Sequence, residues 1–105
     1  MINDLHARQL SAETYRGEVD ALNRCIEKFN NLTEKWLFEQ RDALMVKRDY
    51  ADQMEAARHH GELCGFNYCV QNYHDVTLEE LESLRNAMTK AAELVLEHGV
   101  VTVIP

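Results

Sequence analysis

The sequence contains very few residues that interrupt helices. Its single Pro is the last residue, and only four Gly occur among 105 residues. Proline removes a backbone donor and glycine destabilises a helix interior, so the usual breakers are missing from almost the whole chain. We therefore expect an all-α protein, a small helical bundle of three or four helices in a single domain spanning 1–105, with one long helix and an extended C-terminal tail.

The chain also lacks the segments that direct proteins to or across membranes. It has no run of about 18 apolar residues, and residues 1–10 are polar, unlike the apolar block of a signal peptide. Its three cysteines, an odd number, favour free thiols over a disulfide framework. These features predict a cytoplasmic protein that does not bind membranes.

Basic residues are scarce in the C-terminal part of the chain. The net charge is -7, and residues 59–105 hold seven acidic residues against Arg85 and Lys90 alone. Residues 1–58 are closer to balance, with eleven acidic and nine basic residues. Direct binding to nucleic acid or to anionic membranes requires clustered Lys and Arg, so we expect neither. A basic protein is the better expected partner.

Motifs of catalysis are absent as well. The sequence has no Gly-rich phosphate loop, no nucleophile elbow and no HExxH motif, so we expect no enzymatic activity and no cofactor. In small size, acidity and helical content, the chain resembles in style the inhibitors that phages and other mobile elements deploy against host defence complexes. The resemblance implies a non-enzymatic protein that occupies or inhibits a macromolecular partner, such as a basic nucleic-acid-binding protein or a host defence complex.

The spacing of apolar residues predicts helices at 12–29, 32–60, 62–73 and 78–98. Ser11 is a candidate N-cap for the first, which leaves residues 1–10 as an N-terminal extension. Five apolar residues recur at steps of three and four and predict its buried stripe: Tyr15, Val19, Leu22, Ile26 and Phe29.

The second predicted helix is the long one. Asn31 and Glu34 have the spacing of a capping box at its start, and no strong breaker follows before His60. The pair His59 and His60 followed by Gly61 is typical of a helix end. The third helix, 62–73, then either stands alone or is continuous with the second.

The fourth helix has the strongest local signals. Thr77 and Glu80 form a capping box, with Val76 and Leu81 in the positions of a hydrophobic staple. Gly99 is suited to end the helix. The apolar tail 100–105 is expected to dock on the bundle or to pair with another copy.

Acidic side chains cluster around the start of this fourth helix. Carboxylates in a first helical turn are expected from the helix dipole alone. Because few bases balance them, we predict that they also bind a basic partner. The predicted partner-binding residues are Asp75, Glu79, Glu80 and Glu82.

The segment 59–74 carries the alternative predictions. Its aromatic and amide side chains suit a small-ligand pocket in an oligomeric binding or sequestering protein, although a helix with one buried face explains them equally. The pocket candidates are Phe66, Asn67, Tyr68 and Tyr73. A less favoured alternative is a metal-binding or redox-sensing module, and we predict no metal because the CxxC spacing is missing. Its candidate ligands are His60, Cys64, Cys69 and His74.

The predicted amphipathic faces exceed what one small bundle readily buries. We therefore expect a homo-oligomer, with a dimer favoured and the long second helix as its interface. Leu44 marks the predicted seam.

Overall fold

The computed structural model describes residues 4–99, and no strand occurs among them. Four helices make up this part of the chain, with a short 3-10 turn, Phe29–Asn31, after the first. They are α1 (Asp4–Glu27), α2 (Glu34–Asp49), α3 (Gln53–Gln71) and α4 (Leu78–His98). The predicted all-α bundle is confirmed. The predicted tail at 100–105 lies outside the described residues.

Helix α1 lies at the centre of the bundle. It packs against both α3 and α4, whereas α2 packs mainly against α3. All four helices contribute to one hydrophobic core, whose largest fully buried side chains include Leu22, Leu37, Phe66 and Leu81. A helix with neighbours on two sides must bury two stripes, and this requirement shapes the sequence of α1.

The first of these stripes was predicted and faces the core. Leu22 is fully buried, and the other four predicted residues pack against the core with part of their surface exposed. The second stripe consists of small residues and was not predicted. It comprises Gly17, Ala21 and Cys25, which recur at steps of four. Small side chains contribute little to an apolar periodicity, although they allow neighbouring helices to approach closely.

The prediction that α1 follows a cap at Ser11 was wrong. The helix begins at Asp4, so residues 4–10 belong to it and are not an extension. The Arg8 side chain donates hydrogen bonds of 3.4 Å to the carbonyl oxygens of Leu96 and Glu97 at the end of α4. A cationic group there is favoured by the dipole of α4, so the first turns of α1 have a tertiary partner that local sequence does not reveal.

The predicted long helix 32–60 was also wrong. Helix α2 ends at Asp49, and α3 begins after Asp52, whose carboxylate accepts a hydrogen bond of 2.8 Å from the backbone N–H of Glu55. An aspartate in this position is a strong N-cap and starts a new helix. The start of α2 differs as well, because Thr33 caps it by accepting from the Trp36 N–H, instead of Asn31.

The predicted helix end at His59, His60 and Gly61 does not exist. All three residues lie inside α3, so the segment after Gly61 continues the helix that contains them, but the alternative of one helix over 32–73 is also wrong because α2 ends at Asp49. Gly61 serves close packing: a Cβ on it would overlap the Thr14 carbonyl oxygen and lie 2.7 Å from the carbonyl carbon.

Helix α4 agrees with its prediction at both ends. Thr77 caps the first turn by accepting a hydrogen bond of 3.1 Å from the backbone N–H of Glu80. Leu81 is fully buried and Val76 packs against the same core, as expected for a staple. Gly99 ends the helix with φ of 82°, a left-handed conformation that glycine adopts without a steric penalty.

Candidate functional site

The four predicted partner-binding carboxylates surround the start of α4. Asp75 lies in the turn before the helix, and Glu79 and Glu80 lie in its first turn; all three are exposed, whereas Glu82 is half-buried. We call these four residues the acidic cluster. None of their side chains forms an ion pair or a hydrogen bond within residues 4–99. The cluster therefore presents uncompensated negative charge.

The turn that carries the cluster is held by hydrogen bonds. The Asn72 carbonyl accepts from the backbone N–H groups of Asp75 (3.0 Å) and Val76 (2.7 Å), while the Asn72 side chain donates to the Tyr68 carbonyl. The Tyr73 hydroxyl donates to the carbonyl of Leu32, ahead of α2, at 2.9 Å. These bonds join the turn to two other parts of the bundle, so the position of the acidic cluster is defined before any partner binds.

Several other acidic residues are paired with basic side chains, although carboxylates without an ion pair among the described residues, such as Glu39 and Asp42 of α2, also occur outside the cluster. Asp20 of α1 pairs with Arg58 of α3, and Glu13 lies 2.8 Å from Arg16. Near the cluster, by contrast, Arg85 contacts the side-chain oxygens of Asn23 and Asn86. Three carboxylates of α1, those of Asp4, Glu13 and Asp20, thus form ion pairs, whereas the four at the start of α4 form none among the described residues.

The predicted ligand-binding residues lie in different environments. Phe66 is fully buried, with its ring centroid 5.7 Å from that of Trp36 in an edge-on arrangement. The Tyr73 hydroxyl is used by the bond to Leu32. Asn67 accepts from Arg41 at 3.4 Å, and Tyr68 is half-buried. Phe66 thus belongs to the core, while the other three keep part of their surface exposed.

An open groove of about 360 Å³ lies elsewhere, bounded by α1, α3 and α4. It contains none of the predicted ligand-binding residues. The side chains that line it are Glu13, Arg16, Val19, Asp20, Arg58, Thr89, Ala92 and Glu93. Both arginines are paired with carboxylates of the same groove. It therefore offers no free positive charge to an anionic ligand.

The four metal candidates are distributed over different parts of the structure. His60 Nε2 lies 3.8 Å from Cys64 Sγ, one helical turn away on α3. Cys69 is fully buried, and His74 is exposed in the turn before α4, 3.8 Å from Glu34. Within residues 4–99 no three His, Cys, Asp or Glu side chains are arranged to hold a metal ion. Burial and the nearby Glu18 carboxylate raise the pKa of the Cys64 thiol, which disfavours its nucleophilic form.

Two features of the structure were not predicted. Helix α2 exposes three large apolar residues beside and opposite the stripe of its buried Leu37 and Leu44: Phe38, Met45 and Val46. We call these three residues the outer face of α2. Phe38 and Met45 are seven residues apart, which places them on one face of a helix. The sequence therefore carried a signal for this face, but the predicted interface was placed at Leu44. The second feature is the contact between Cys25 and Cys69 in the core, which no local pattern could indicate.

Compared with known protein families, curated proteins and solved structures, the chain shows no match. None of the helices within residues 4–99 has the length and apolar character needed to cross a membrane.

Proposed function

We propose that this chain is a non-enzymatic binding protein of the cytoplasm that occupies, and thereby inhibits, a basic macromolecular partner. The partner is a nucleic-acid-binding protein or a host defence complex that presents clustered Lys and Arg. One observation carries the proposal: three of the four carboxylates of the acidic cluster are exposed, the turn that carries the cluster is fixed in position, and none of the four has an ion-pairing partner among the described residues.

The proposal rests on the physical behaviour of unpaired charge. A group of like charges on a defined surface accelerates encounter with an oppositely charged partner and suppresses encounter with acidic proteins. Carboxylates that mimic the spacing of phosphates can occupy a site built for nucleic acid, since such sites depend on Lys and Arg. This mode of action needs no catalytic residue.

Charge reversal with a matched control tests the proposal. Glu80 and Glu55 hold the same position in α4 and α3, and the backbone N–H of each donates to the cap residue of its helix. Lys substitution at either position therefore imposes a similar helix-dipole cost. Immobilised wild type, Glu80→Lys and Glu55→Lys proteins are incubated with native lysate at low and high salt, and retained proteins are identified by mass spectrometry.

We expect wild type and Glu55→Lys to retain the same basic proteins at low salt. Glu80→Lys should fail to retain them, and high salt should release them. Far-UV circular dichroism of the three proteins establishes that they are equally folded. A retained set that is unaffected by Glu80→Lys and by salt would contradict the role of the acidic cluster, because an electrostatic contact must weaken when ions screen it.

We also propose that the protein forms a homodimer through the outer face of α2. Phe38, Met45 and Val46 keep apolar surface in contact with water in this bundle. Packing α2 against a second copy would remove part of that surface from water. Leu44, the predicted seam, is only 5% exposed and belongs to the core, so a substitution there would test folding and not assembly.

Met45→Glu is the appropriate variant because Met45 is 46% exposed and its replacement leaves the core intact. Light scattering coupled to size exclusion should give a dimeric mass for wild type and a monomeric mass for Met45→Glu. A wild-type mass near 12.2 kDa would contradict the dimer. Thr89→Glu on α4 is the control, since it adds the same charge at another exposed position.

A further inference from the structure

Helices α1 and α3 carry matching rows of small residues that end in cysteine. In each helix the residues follow one another at steps of four, and so lie on one face. In α1 the row is Gly17, Ala21 and Cys25, and in α3 it is Gly61, Gly65 and Cys69. The two helices run parallel in this region, because residue numbers at their contacts increase together: Gly61 lies against Thr14, and Gly65 against Ala21.

Backbone contact between the helices fixes how close the two rows lie. A Cβ on Gly17 would overlap the Arg58 carbonyl oxygen and lie 2.9 Å from the backbone nitrogen of Glu62. A Cβ on Gly65 would lie 2.7 Å from the Cβ of Ala21. Such distances leave no room for side chains at the glycines, so α1 and α3 approach more closely than helices separated by ordinary side chains.

One step further along both rows, the two cysteines meet. Cys25 and Cys69 are both 0% exposed and free, both belong to the hydrophobic core, and an interaction between their thiols shifts the pKa of each. The third cysteine, Cys64, is half-buried and contacts His60 instead. A single buried thiol is usually inert, but two neighbouring thiols on closely packed helices can be joined where the spacing of their Cα atoms suits a disulfide.

We propose that Cys25 and Cys69 are a modification site, at which hydrogen peroxide converts the two thiols into a disulfide that links α1 to α3. Hydrogen peroxide is the oxidant of choice because it is small enough to enter a core through local opening. The proposal is independent of the acidic cluster and of any partner.

An interaction between the thiols shifts their pKa values in opposite directions. Hydrogen bonding with Cys25 lowers the pKa of Cys69, while hydrogen bonding with Cys69 and burial raise the pKa of Cys25, so Cys69 is the thiol that ionises more readily. The Cys69 thiolate attacks one peroxide oxygen, the O–O bond breaks, and Cys69 becomes a sulfenic acid as hydroxide leaves. The Cys25 sulfur then attacks the Cys69 sulfur, the S–O bond breaks, and the departing hydroxide takes the Cys25 proton. Two thiols and one peroxide thus yield one disulfide and two waters.

The link has a measurable consequence for stability. It closes a loop that contains all of α2 and most of α3, and it thereby restricts the unfolded chain. The melting temperature of the oxidised protein should rise by on the order of 10 °C. Dithiothreitol should reverse the rise, because it reduces the disulfide to the original pair of thiols.

The test uses full-length wild type and Cys64→Ser, which removes the competing thiol. Each protein is treated with hydrogen peroxide, denatured, alkylated with iodoacetamide, digested without reductant and analysed by mass spectrometry. The expected product is a pair of linked peptides containing Cys25 and Cys69, with the loss of two hydrogen atoms and no alkyl group on either. The Cys64→Ser protein should give the same product and the same rise in melting temperature.

Cys25→Ala is expected to abolish both the link and the rise, with circular dichroism showing whether its helices are retained. If this variant fails to fold, the peptide map of Cys64→Ser still shows whether Cys25 and Cys69 become linked. Alkyl groups on both Cys25 and Cys69 after peroxide treatment would overturn the proposal. So would sulfinic acid at either residue, or a disulfide that involves Cys64.

Discussion

Gly61 of α3 lies directly against the backbone of Thr14 in α1, with no space between them for a methyl group. Alanine is the better helix former by about 1 kcal/mol, so helix propensity alone would make Gly61→Ala stabilising. The overlap with the Thr14 carbonyl forces the helices apart, and we expect a net loss of about 2 kcal/mol. Urea unfolding followed by circular dichroism measures the difference.

Ser83→Ala is the control for this measurement. Ser83 is exposed inside α4, so its replacement gives the gain in helix propensity without any helix contact, and stability should stay the same or rise slightly. A Gly61→Ala protein as stable as wild type would place α1 and α3 further apart than the structure has them.

Asp52→Ala distinguishes two helices from one long helix. As the cap of α3, Asp52 accepts a hydrogen bond from the Glu55 N–H, and its loss should cost about 1 kcal/mol. In the interior of a continuous helix, the same substitution would be stabilising because alanine is the better helix former. The sign of the change in urea midpoint therefore distinguishes the two arrangements. A decrease supports separate helices α2 and α3, and an increase would support one long helix.

Tyr73→Phe removes one hydrogen bond from the turn that carries the acidic cluster. The Tyr73 hydroxyl donates to the Leu32 carbonyl, which would lose its partner, so we expect a loss of about 1 kcal/mol on unfolding in urea. Tyr50→Phe is the matched control, since Tyr50 is 90% exposed and its hydroxyl has no protein partner in the described chain. Equal stability of the two variants would argue against the Tyr73 bond.

Glu18→Gln should change how stability depends on pH. Burial raises the pKa of the Glu18 carboxyl, so the folded protein holds this proton more tightly than the unfolded chain does. Stability then falls as pH rises from the unfolded pKa through the higher folded pKa. At neutral pH the Gln variant, which has no charge to bury, should unfold at a higher urea concentration than wild type.

The difference in urea midpoint between Glu18→Gln and wild type should disappear below roughly pH 4, where Glu18 is protonated in both the folded and the unfolded protein. Glu27→Gln, at an exposed position of α1, controls for the removal of one negative charge. An equal gain in stability for Glu18→Gln at neutral and acid pH would contradict a half-buried, ionised carboxylate.

Local signals in the sequence were sufficient for α4 but not for the other helices. The Thr77 cap, the apolar stripe and Gly99 lie within the helix or beside it, so its bounds could be predicted. The break between α2 and α3 had a local signal too, the cap formed by Asp52, but the spacing of Arg48 and Asp52 also fits a pair on a continuous helix. Competing local interpretations of one residue cannot be resolved without its tertiary context.

Contacts between distant residues explain the remaining errors. Gly61 looked like a helix end because a glycine there usually marks one, whereas its role depends on the backbone of Thr14, far away in the sequence. The start of α1 depends in the same way on Arg8 and the end of α4. For the candidate site, the exposure of the acidic cluster followed from its sequence, but the burial of Phe66 against Trp36 did not.

The most direct test of the central claim is the affinity for the main captured partner, measured by calorimetry with purified proteins at low and high salt. The account predicts that Glu80→Lys raises the Kd by about threefold to tenfold at low salt, that Glu55→Lys leaves it unchanged, and that high salt weakens wild-type binding and narrows the difference. An equal Kd for wild type and Glu80→Lys at low salt, or a wild-type Kd that does not change with salt, would contradict it.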